Sequence, residues 1–249
     1  MMALRIDEHD GIVTLTLDNA PANALDNATL RGLVAKLGEI NADPTVRGVL
    51  LTGAGEKFFC AGGDVKEFAV VTRELGLERV RLGSRLKSGL AQLECPYVCA
   101  VNGAAIGSGM EMAALADFCV ASETARFGMP EINHGLLPMA KGIQQLVRVM
   151  GEKNTKDVLF SGEIFSAARA HEYGLVDEVV APDRLQERAH EWLTAMAAKP
   201  ANLFRALKRT VRDAEGRTDE ELERQTEEDF LSYFQTDEAA AQLRTLVGH

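Results

Sequence analysis

The sequence lacks the marks of membrane and secreted proteins. No apolar run approaches the ~18 uninterrupted residues of a membrane span. Residues 1–7 lack the charged and apolar blocks of a secretory signal. We therefore expect no membrane partner and a cytoplasmic location.

Cysteine and histidine are scarce and poorly placed for a metal. The 4 cysteines include no CxxC pair, and none has a histidine beside it at the spacing of metal ligands. They lie in apolar segments, as expected of reduced residues in a core or pocket. We expect neither a disulfide nor a bound metal from Cys60, Cys95, Cys99 and Cys119.

Basic residues are also fewer than acidic ones, 27 against 37. The 249 residues carry a formal net charge of -10, which repels nucleic acids, so we expect no nucleic-acid partner. With 46% hydrophobic residues and only 7 prolines, the chain can bury one large core, with or without an appendage. One local group of basic residues leaves a phosphate contact open: Arg79, Arg81, Arg85 and Lys87.

Strand and helix patterns alternate in the first half of the chain. Residues 12–18 alternate apolar and polar side chains, as in a half-buried strand. We expect a helix capped by Asn27 to follow, and then a buried strand at residues 46–52. Such alternation predicts an α/β fold, with a parallel or mixed sheet covered by helices. The same order recurs as a helix to Leu93, a strand at 97–101, a helix from Gly107 and a strand at 118–121.

The last third of the chain is predominantly helical. Helical patterns run from Lys141 onward, apart from a short strand expected within residues 175–180. Asp183 is expected to begin one amphipathic helix, and Pro200 precedes another. Residues 218–221 form a capping box that opens a third. We expect this region to cover the same core or a neighbouring subunit.

Two glycine-rich stretches, residues 60–67 and 103–111, each follow a strand-like segment. Small residues let the backbone approach a ligand closely. Two amide N–H groups aimed at one oxygen stabilise an enolate or oxyanion. The two stretches therefore predict an oxyanion hole.

Two glutamates are candidates for proton transfer. Glu111 lies within an apolar run, residues 110–116, where a carboxylate is costly without a purpose or a partner. Glu131 follows Pro130 in a glycine-bearing segment. Two carboxyl groups in a partly dry pocket can divide water activation from proton delivery. The alternatives are a glutamate tied to a backbone amide and one that favours a helix N-terminus.

Five motifs, in order along nearly the whole chain, resemble those of the enoyl-CoA hydratase/isomerase or crotonase superfamily. The resemblance implies a crotonase-like spiral of repeated β-β-α units with a C-terminal helical trimerisation region. It divides the chain into a core with the acyl-CoA site at 1–190 and a helical region at 191–249. It also implies an acyl-CoA substrate and a homotrimer or dimer of trimers. The motifs are Asn23-Ala24-Leu25, Phe59 to Asp64, Gly103 to Asp117, Phe127 to Glu131 with Gly135 and Pro138, and Ala167 to Val176.

The resemblance also implies roles for single residues. It places the oxyanion-hole donors at the amides of Gly63 and Ser108. It assigns Glu111 mainly to water activation and Glu131 to proton exchange at the α-carbon. No metal or redox cofactor is implied, because coenzyme A is part of the substrate. The carrier is expected to bind along Ala22, Ala24, Ala61, Gly62, Asp64 and Val65.

Two departures from the family pattern fall near the expected site. Ser108 replaces a glycine and retains the amide, while its side chain either crowds the thioester or offers a hydroxyl contact. After Pro138, the usual glycine-rich turn is replaced by residues 139–142. In that turn, Lys141 is either a surface lysine or a polar group that selects an unusual acyl chain.

Three further residues leave alternatives open. Asp64 is either a carrier contact or a helix N-cap. We expect His134 to be structural rather than a base, because a histidine beside a turn usually makes a structural hydrogen bond. The chain end lacks the family's Lys-Arg pair, which leaves Arg244 as a candidate for the phosphate end of the carrier.

Together these features predict an enoyl-CoA hydratase. The resemblance implies that isomerases of this family can work with one carboxylate at the Glu131 position, so the paired glutamates favour hydration over double-bond migration. The alternatives are a Δ3,Δ2-enoyl-CoA isomerase, a dehydratase, a thioester hydrolase and a decarboxylase. Two more alternatives belong to other functional classes: a catalytically silent acyl-CoA-binding or scaffolding trimer, and an RNA-binding relative. The intact glutamates oppose the first of these, and the negative charge opposes the second.

Overall fold

The computed structural model describes residues 3–69, 72–214 and 216–247, which form a spiral of strands and helices. Within these residues the strands are β1 (Leu4–His9), β2 (Ile12–Leu17), β3 (Gly48–Gly53), β4 (Phe58–Cys60), β5 (Tyr97–Val101), β6 (Ala104–Ile106), β7 (Phe118–Ser122), β8 (Arg126–Gly128), β9 (Ile164–Ser166) and β10 (Glu178–Val180). The helices are α1 (Asn27–Ala42), α2 (Val65–Ala69), α3 (Arg73–Ala91), α4 (Ser108–Ala114), α5 (Ala140–Ser161), α6 (Ala167–Glu172), α7 (Leu185–Ala197), α8 (Ala201–Asp213), α9 (Asp219–Phe234) and α10 (Asp237–Val247). Two 3₁₀ helices span Pro130–His134 and Pro182–Arg184.

Two sheets divide the strands between them. The larger has the order β1-β2-β3-β5-β7-β10, in which only β1 and β2 pair antiparallel. The smaller has the order β4-β6-β8-β9, in which only β8 and β9 pair antiparallel. From β3 to β8, consecutive strands alternate between the larger and the smaller sheet, so that each turn of this part of the spiral adds one strand to both. This arrangement confirms the α/β spiral of β-β-α units and the mixed sheet predicted from the sequence.

The first helix confirms the expected apolar stripe and corrects its cap. Leu30, Leu33 and Leu37 are buried on the side of α1 that contacts α3. The cap is Asp26, whose carboxylate accepts a hydrogen bond from the Thr29 amide at 2.7 Å. The predicted cap, Asn27, is instead the first helical residue. Aspartate and asparagine are nearly equal at this position, so residue preference alone does not distinguish neighbours.

The strands β1, β6, β8 and β9 are not among those predicted from the sequence. In β1, Leu4 is buried and Arg5 is exposed, but the run of polar residues at 7–9 hides the alternation. The strand β9 is three residues long, and only Phe165 within it is buried. The expected strand within residues 175–180 is present as the shorter β10.

Helix α7 covers the outer face of the larger sheet. Its Ala189 and Leu193 pack in a cluster with Leu50 and Val98. The helix begins at Leu185 after a 3₁₀ turn, and not at Asp183 as expected. The predicted division of the chain falls within α7 and stays a prediction.

The C-terminal helices leave apolar side chains uncovered. The capping box of Thr218 and Glu221 opens α9 as predicted. On α8, Leu203, Leu207 and Val211 recur at every fourth position and are 37%, 60% and 79% exposed. Side chains four residues apart share one helix face, so these three form a continuous apolar row.

All four cysteines are free and buried, as expected of core residues. Across the described ranges, no group of three or more His, Cys, Asp or Glu side chains is placed to hold a metal. No helix in that part of the chain combines the length and apolar character needed to cross a bilayer.

Candidate active site

Most of the predicted site residues meet at one cavity of about 500 Å³. The cavity lies between α3, α4, the loop after β4 and the 3₁₀ helix at Pro130–His134. Apolar side chains form most of its wall, so charged groups inside it interact more strongly than in water. The predicted residues in the wall are Ala61, Gly62, Gly63, Val65, Ser108, Glu111 and Glu131.

Three predicted carrier contacts, Ala22, Ala24 and Asp64, lie outside the lining of this cavity. The carbonyl of Ala22 accepts a hydrogen bond from the amide of Ala61 at 3.0 Å, so it supports the wall from behind. The Asp64 carboxylate accepts a hydrogen bond from the Lys66 amide at 2.9 Å, at the start of α2. Asp64 therefore fills the helix-cap role that the sequence left open.

Two glycines bring the two glycine-rich loops together. Gly62 has φ 85° and Gly107 has φ 54°, in the left-handed region that favours glycine. A Cβ on Gly62 would stand 2.9 Å from the carbonyl oxygen of Ile106 and 3.7 Å from the amide nitrogen of Ser108. A Cβ on Gly107 would stand 2.6 Å from Oε1 of Glu131. The absence of side chains at these positions therefore permits the close approach that the sequence predicts.

The amides of Gly63 and Ser108 are not used in holding these loops. Around Gly63, the Leu25 amide donates to the Gly62 carbonyl at 2.8 Å, and the Asp64 amide donates to the Leu25 carbonyl at 3.2 Å. Ser108 is the first residue of α4, where an N–H has no acceptor within the helix. Both residues line the cavity, and neither N–H serves the backbone bonds of the described loops.

Glu111 is almost fully buried and forms an ion pair with Lys87. The two side chains are 2% and 3% exposed, and Nζ of Lys87 lies 2.7 Å from Oε2 of Glu111. The ammonium is at ion-pair distance but lacks the alignment of a directed hydrogen bond. The other oxygen, Oε1, has no hydrogen-bond partner among the described residues. A Cβ on Gly142 would overlap Oε1, so this glycine makes room for the carboxylate.

Glu131 lies within the 3₁₀ helix and is partly buried. Burial raises the pKa of Glu131 above the usual glutamate range, and the nearby Glu111 carboxylate raises it further. A hydrogen bond from its own amide and the charges of Lys87 and His134 act in the opposite direction. Because burial is the largest effect, Glu131 keeps its proton closer to neutral pH than an exposed glutamate does.

Cys60 lies between the two loops but is not a candidate nucleophile. Burial raises the pKa of the Cys60 thiol to about 12. Its sulfur accepts a weak hydrogen bond from the Gly62 amide at 3.4 Å. The thiol therefore stays neutral, and its role is to support the Gly62 turn.

The residues that replace the usual glycine-rich turn have separate positions. Lys141 is exposed and its ammonium contacts the Ser88 hydroxyl, outside the cavity lining. This position matches the surface alternative. Met139 lines the cavity and packs against Gly83 of α3, where a Cβ would overlap its terminal methyl group. His134 is exposed at the rim of the same cavity.

The predicted basic cluster does not form one phosphate-binding patch, because α3 points its members in different directions. Arg79 and Lys87 line the cavity, and Nη1 of Arg79 lies 2.7 Å from Oε2 of Glu67. Arg81 and Arg85 are exposed and line a separate surface groove. Lys87 was expected only as part of that phosphate contact, and its place in the cavity wall was not predicted. The available signal was its position in the buried stripe of α3: Leu82, Leu86, Lys87 and Leu90.

The chain is similar to known proteins over most of its length. The family described as enoyl-CoA hydratase/isomerase matches residues 7–245. Short-chain-enoyl-CoA hydratase from Clostridium acetobutylicum is 39% identical over 186 residues, which cover 74% of this chain and 71% of that protein. 2,3-Dehydroadipyl-CoA hydratase from Escherichia coli is 35% identical over 218 residues, which cover 86% of this chain and 84% of that protein. A crystal structure of enoyl-CoA hydratase from Bacillus anthracis has a TM-score of 0.93 and 31% identity, and the match covers 98% of this chain and 96% of that one.

Proposed function

The chain belongs to the enoyl-CoA hydratase/isomerase family of the crotonase superfamily, and we propose that it is an enoyl-CoA hydratase. The observation that supports this proposal best is the presence of two glutamates, Glu111 and Glu131, in one largely apolar cavity. Hydration needs one group that accepts a proton from water and another that delivers a proton to carbon. The cavity offers one carboxyl group for each task.

In the proposed reaction, the thioester oxygen accepts hydrogen bonds from the amides of Gly63 and Ser108. Glu111 takes a proton from a water molecule as the water oxygen bonds to C3 of the acyl group. The electron pair of the C2–C3 double bond moves toward the thioester, and an enolate forms. Protonated Glu131 then gives its proton to C2. Return of the proton from Glu111 to Glu131, directly or through water, restores the starting state.

We propose that this chemistry needs no metal or redox cofactor, because water supplies the added atoms and no electrons leave the substrate.

Ala61, Gly62 and Val65 are proposed to contact the thiol arm of coenzyme A along the cavity wall. Ala22 supports that wall from behind through its hydrogen bond with the Ala61 amide. A cytoplasmic location stays a prediction.

The direct test is the ultraviolet absorbance of crotonyl-CoA mixed with the purified protein. We expect loss of the band of the conjugated thioester and formation of 3-hydroxybutyryl-CoA, identified by mass spectrometry. The assay is repeated with longer, branched and dicarboxylic 2-enoyl thioesters, because the acyl group is not specified by the cavity residues. No hydration of any of these substrates would contradict the proposal.

The second candidate function is a Δ3,Δ2-enoyl-CoA isomerase. The ion pair of Lys87 with Glu111 is the observation behind it, because a purely structural ion pair would leave Glu131 as the working carboxyl group. Glu131 alone would then move a proton between C2 and C4. Incubation with a 3-enoyl thioester distinguishes the two functions, because an isomerase increases the absorbance of the conjugated thioester without adding mass.

We also propose a homotrimer or a dimer of trimers, with the apolar row of α8 in the subunit interface. The prediction is that Leu207→Glu lowers the molar mass measured by light scattering to that of a monomer, because a buried interface tolerates a charge poorly. Asn202→Glu places the same charge away from the row on the same helix and should leave the mass unchanged. A monomeric wild type, or an oligomer insensitive to Leu207→Glu, would contradict this assignment.

A further inference from the structure

Lys87 is buried at the centre of the cavity wall, where lysine is seldom found. Its side chain is 3% exposed, although Lys is among the residue types that are almost never fully buried without a partner. The neighbouring Leu86 and Leu90 belong to the apolar stripe of α3, so the helix turns this ammonium inward with them. A buried cation is tolerated only next to a compensating charge, and Glu111 supplies it.

Lys87 interacts more strongly with Glu111 than with Glu131. Nζ of Lys87 lies 2.7 Å from Oε2 of Glu111, whereas its influence on Glu131 is a weaker interaction at longer range. Two carboxyl groups that share an apolar cavity tend to hold one proton between them, because both resist ionising together. A cation placed against one of them decides which carboxyl group ionises.

We propose that Lys87 is a positioning residue that keeps Glu111 ionised, and so assigns the base role to Glu111 and the acid role to Glu131. This inference rests on the proposed hydration. With Oε2 of Glu111 held beside the ammonium, Oε1 is the oxygen that accepts the proton of the attacking water. Glu131 retains the single proton of the pair and delivers it to C2.

Among the residues that the structure describes, Lys87 is the cation at ion-pair distance from Glu111. From the 3₁₀ helix come Glu131 and the exposed His134, and from β4 comes the neutral thiol of Cys60. From β5, the Tyr97 hydroxyl donates to the Met112 carbonyl at 3.1 Å, and burial raises the pKa of Tyr97 well above its usual range. On the α5 side, Gly142 contacts the carboxylate while the Lys141 ammonium contacts Ser88.

The test compares Lys87→Met with Lys141→Met, which removes an exposed lysine outside the cavity lining. We expect Lys87→Met to lower kcat/KM for enoyl-CoA hydration by at least about tenfold near neutral pH. A tenfold loss corresponds to a shift of the acid limb of the pH profile by about one pH unit. The acid limb of its pH profile should move to higher pH, because a buried carboxylate without its cation takes up a proton more readily. Lys141→Met should retain the wild-type profile. An unchanged profile in Lys87→Met would overturn the proposal and leave the proposed function intact.

A second measurement does not depend on catalysis. Infrared difference spectra of Lys87→Met against the wild type at neutral pH should reveal an additional C=O stretch of a protonated carboxylic acid, beyond that of Glu131. The same spectrum of Lys87→Met/Glu111→Gln should lack this additional band. The double variant removes both charges and should fold even where the single variant does not, because losing a buried pair together is far less costly than losing one partner. If the wild type hydrates no thioester, the proposed function fails while this spectrum still decides the role of Lys87. Absence of the band in a folded Lys87→Met would overturn it.

Discussion

Replacement of Glu131 by glutamine is expected to lower kcat for enoyl-CoA hydration by about 10²- to 10⁴-fold. The amide has nearly the size of the carboxyl group but cannot deliver a proton to C2. KM should change little, because the step that is lost occurs after substrate binding. Steady-state kinetics with crotonyl-CoA, or with the best substrate found in the survey, measures both constants.

The matched control for this variant is Glu123→Gln, which makes the same change at an exposed glutamate remote from the cavity. It should retain the wild-type kcat. Equal melting temperatures of the two variants would confirm that the loss is chemical rather than structural. Activity of Glu131→Gln within a few-fold of wild type would remove Glu131 from the mechanism.

The pH dependence provides an independent check on Glu131. Burial raises the pKa of Glu131, so the protonated form that hydration requires survives to higher pH than in an exposed glutamate. Hydration should therefore decline as pH rises through this raised pKa. The residual activity of Glu131→Gln should lack that alkaline decline.

The fold could be predicted largely from local patterns. The strand at Tyr97–Val101 and the start of α4 follow from short apolar runs and glycine punctuation that act within a few residues. The misplaced cap at Asn27 and the missed strand β1 have the opposite cause, because neighbouring polar residues are locally equivalent and tertiary pairing decides between them.

The candidate site was predictable only where it depends on the course of the backbone. Glu111 and Glu131 line one cavity because each follows a glycine-bearing turn at the end of one of two adjacent parallel strands, β6 and β8. The pairing of Glu111 with Lys87 joins α3 to α4, and nothing local in either segment specifies the partner. The contact of Gly142 with Glu111 likewise arises from the position of α5. Long-range side-chain pairing is therefore what the sequence leaves open.

Ser108→Pro is expected to lower kcat by about 10²- to 10³-fold, the usual effect of losing one oxyanion-hole donor. Ser108 is the first residue of α4, a position that tolerates proline because the helix makes no use of that N–H. The substitution thus removes the proposed donor while it preserves the start of the helix. Circular dichroism and the melting temperature test whether the fold persists.

Ser108→Gly is the matched control, because it keeps the N–H and removes only the side chain. If the amide is the functional group, this variant should match or exceed the wild type, whereas a large loss would assign the role to the hydroxyl. A folded Ser108→Pro protein with near wild-type kcat would contradict an oxyanion role for this amide. We therefore expect Ser108→Gly to be active and Ser108→Pro to be inactive. Both variants lack the hydroxyl and only Ser108→Gly keeps the N–H, so this result would identify the backbone amide as the donor.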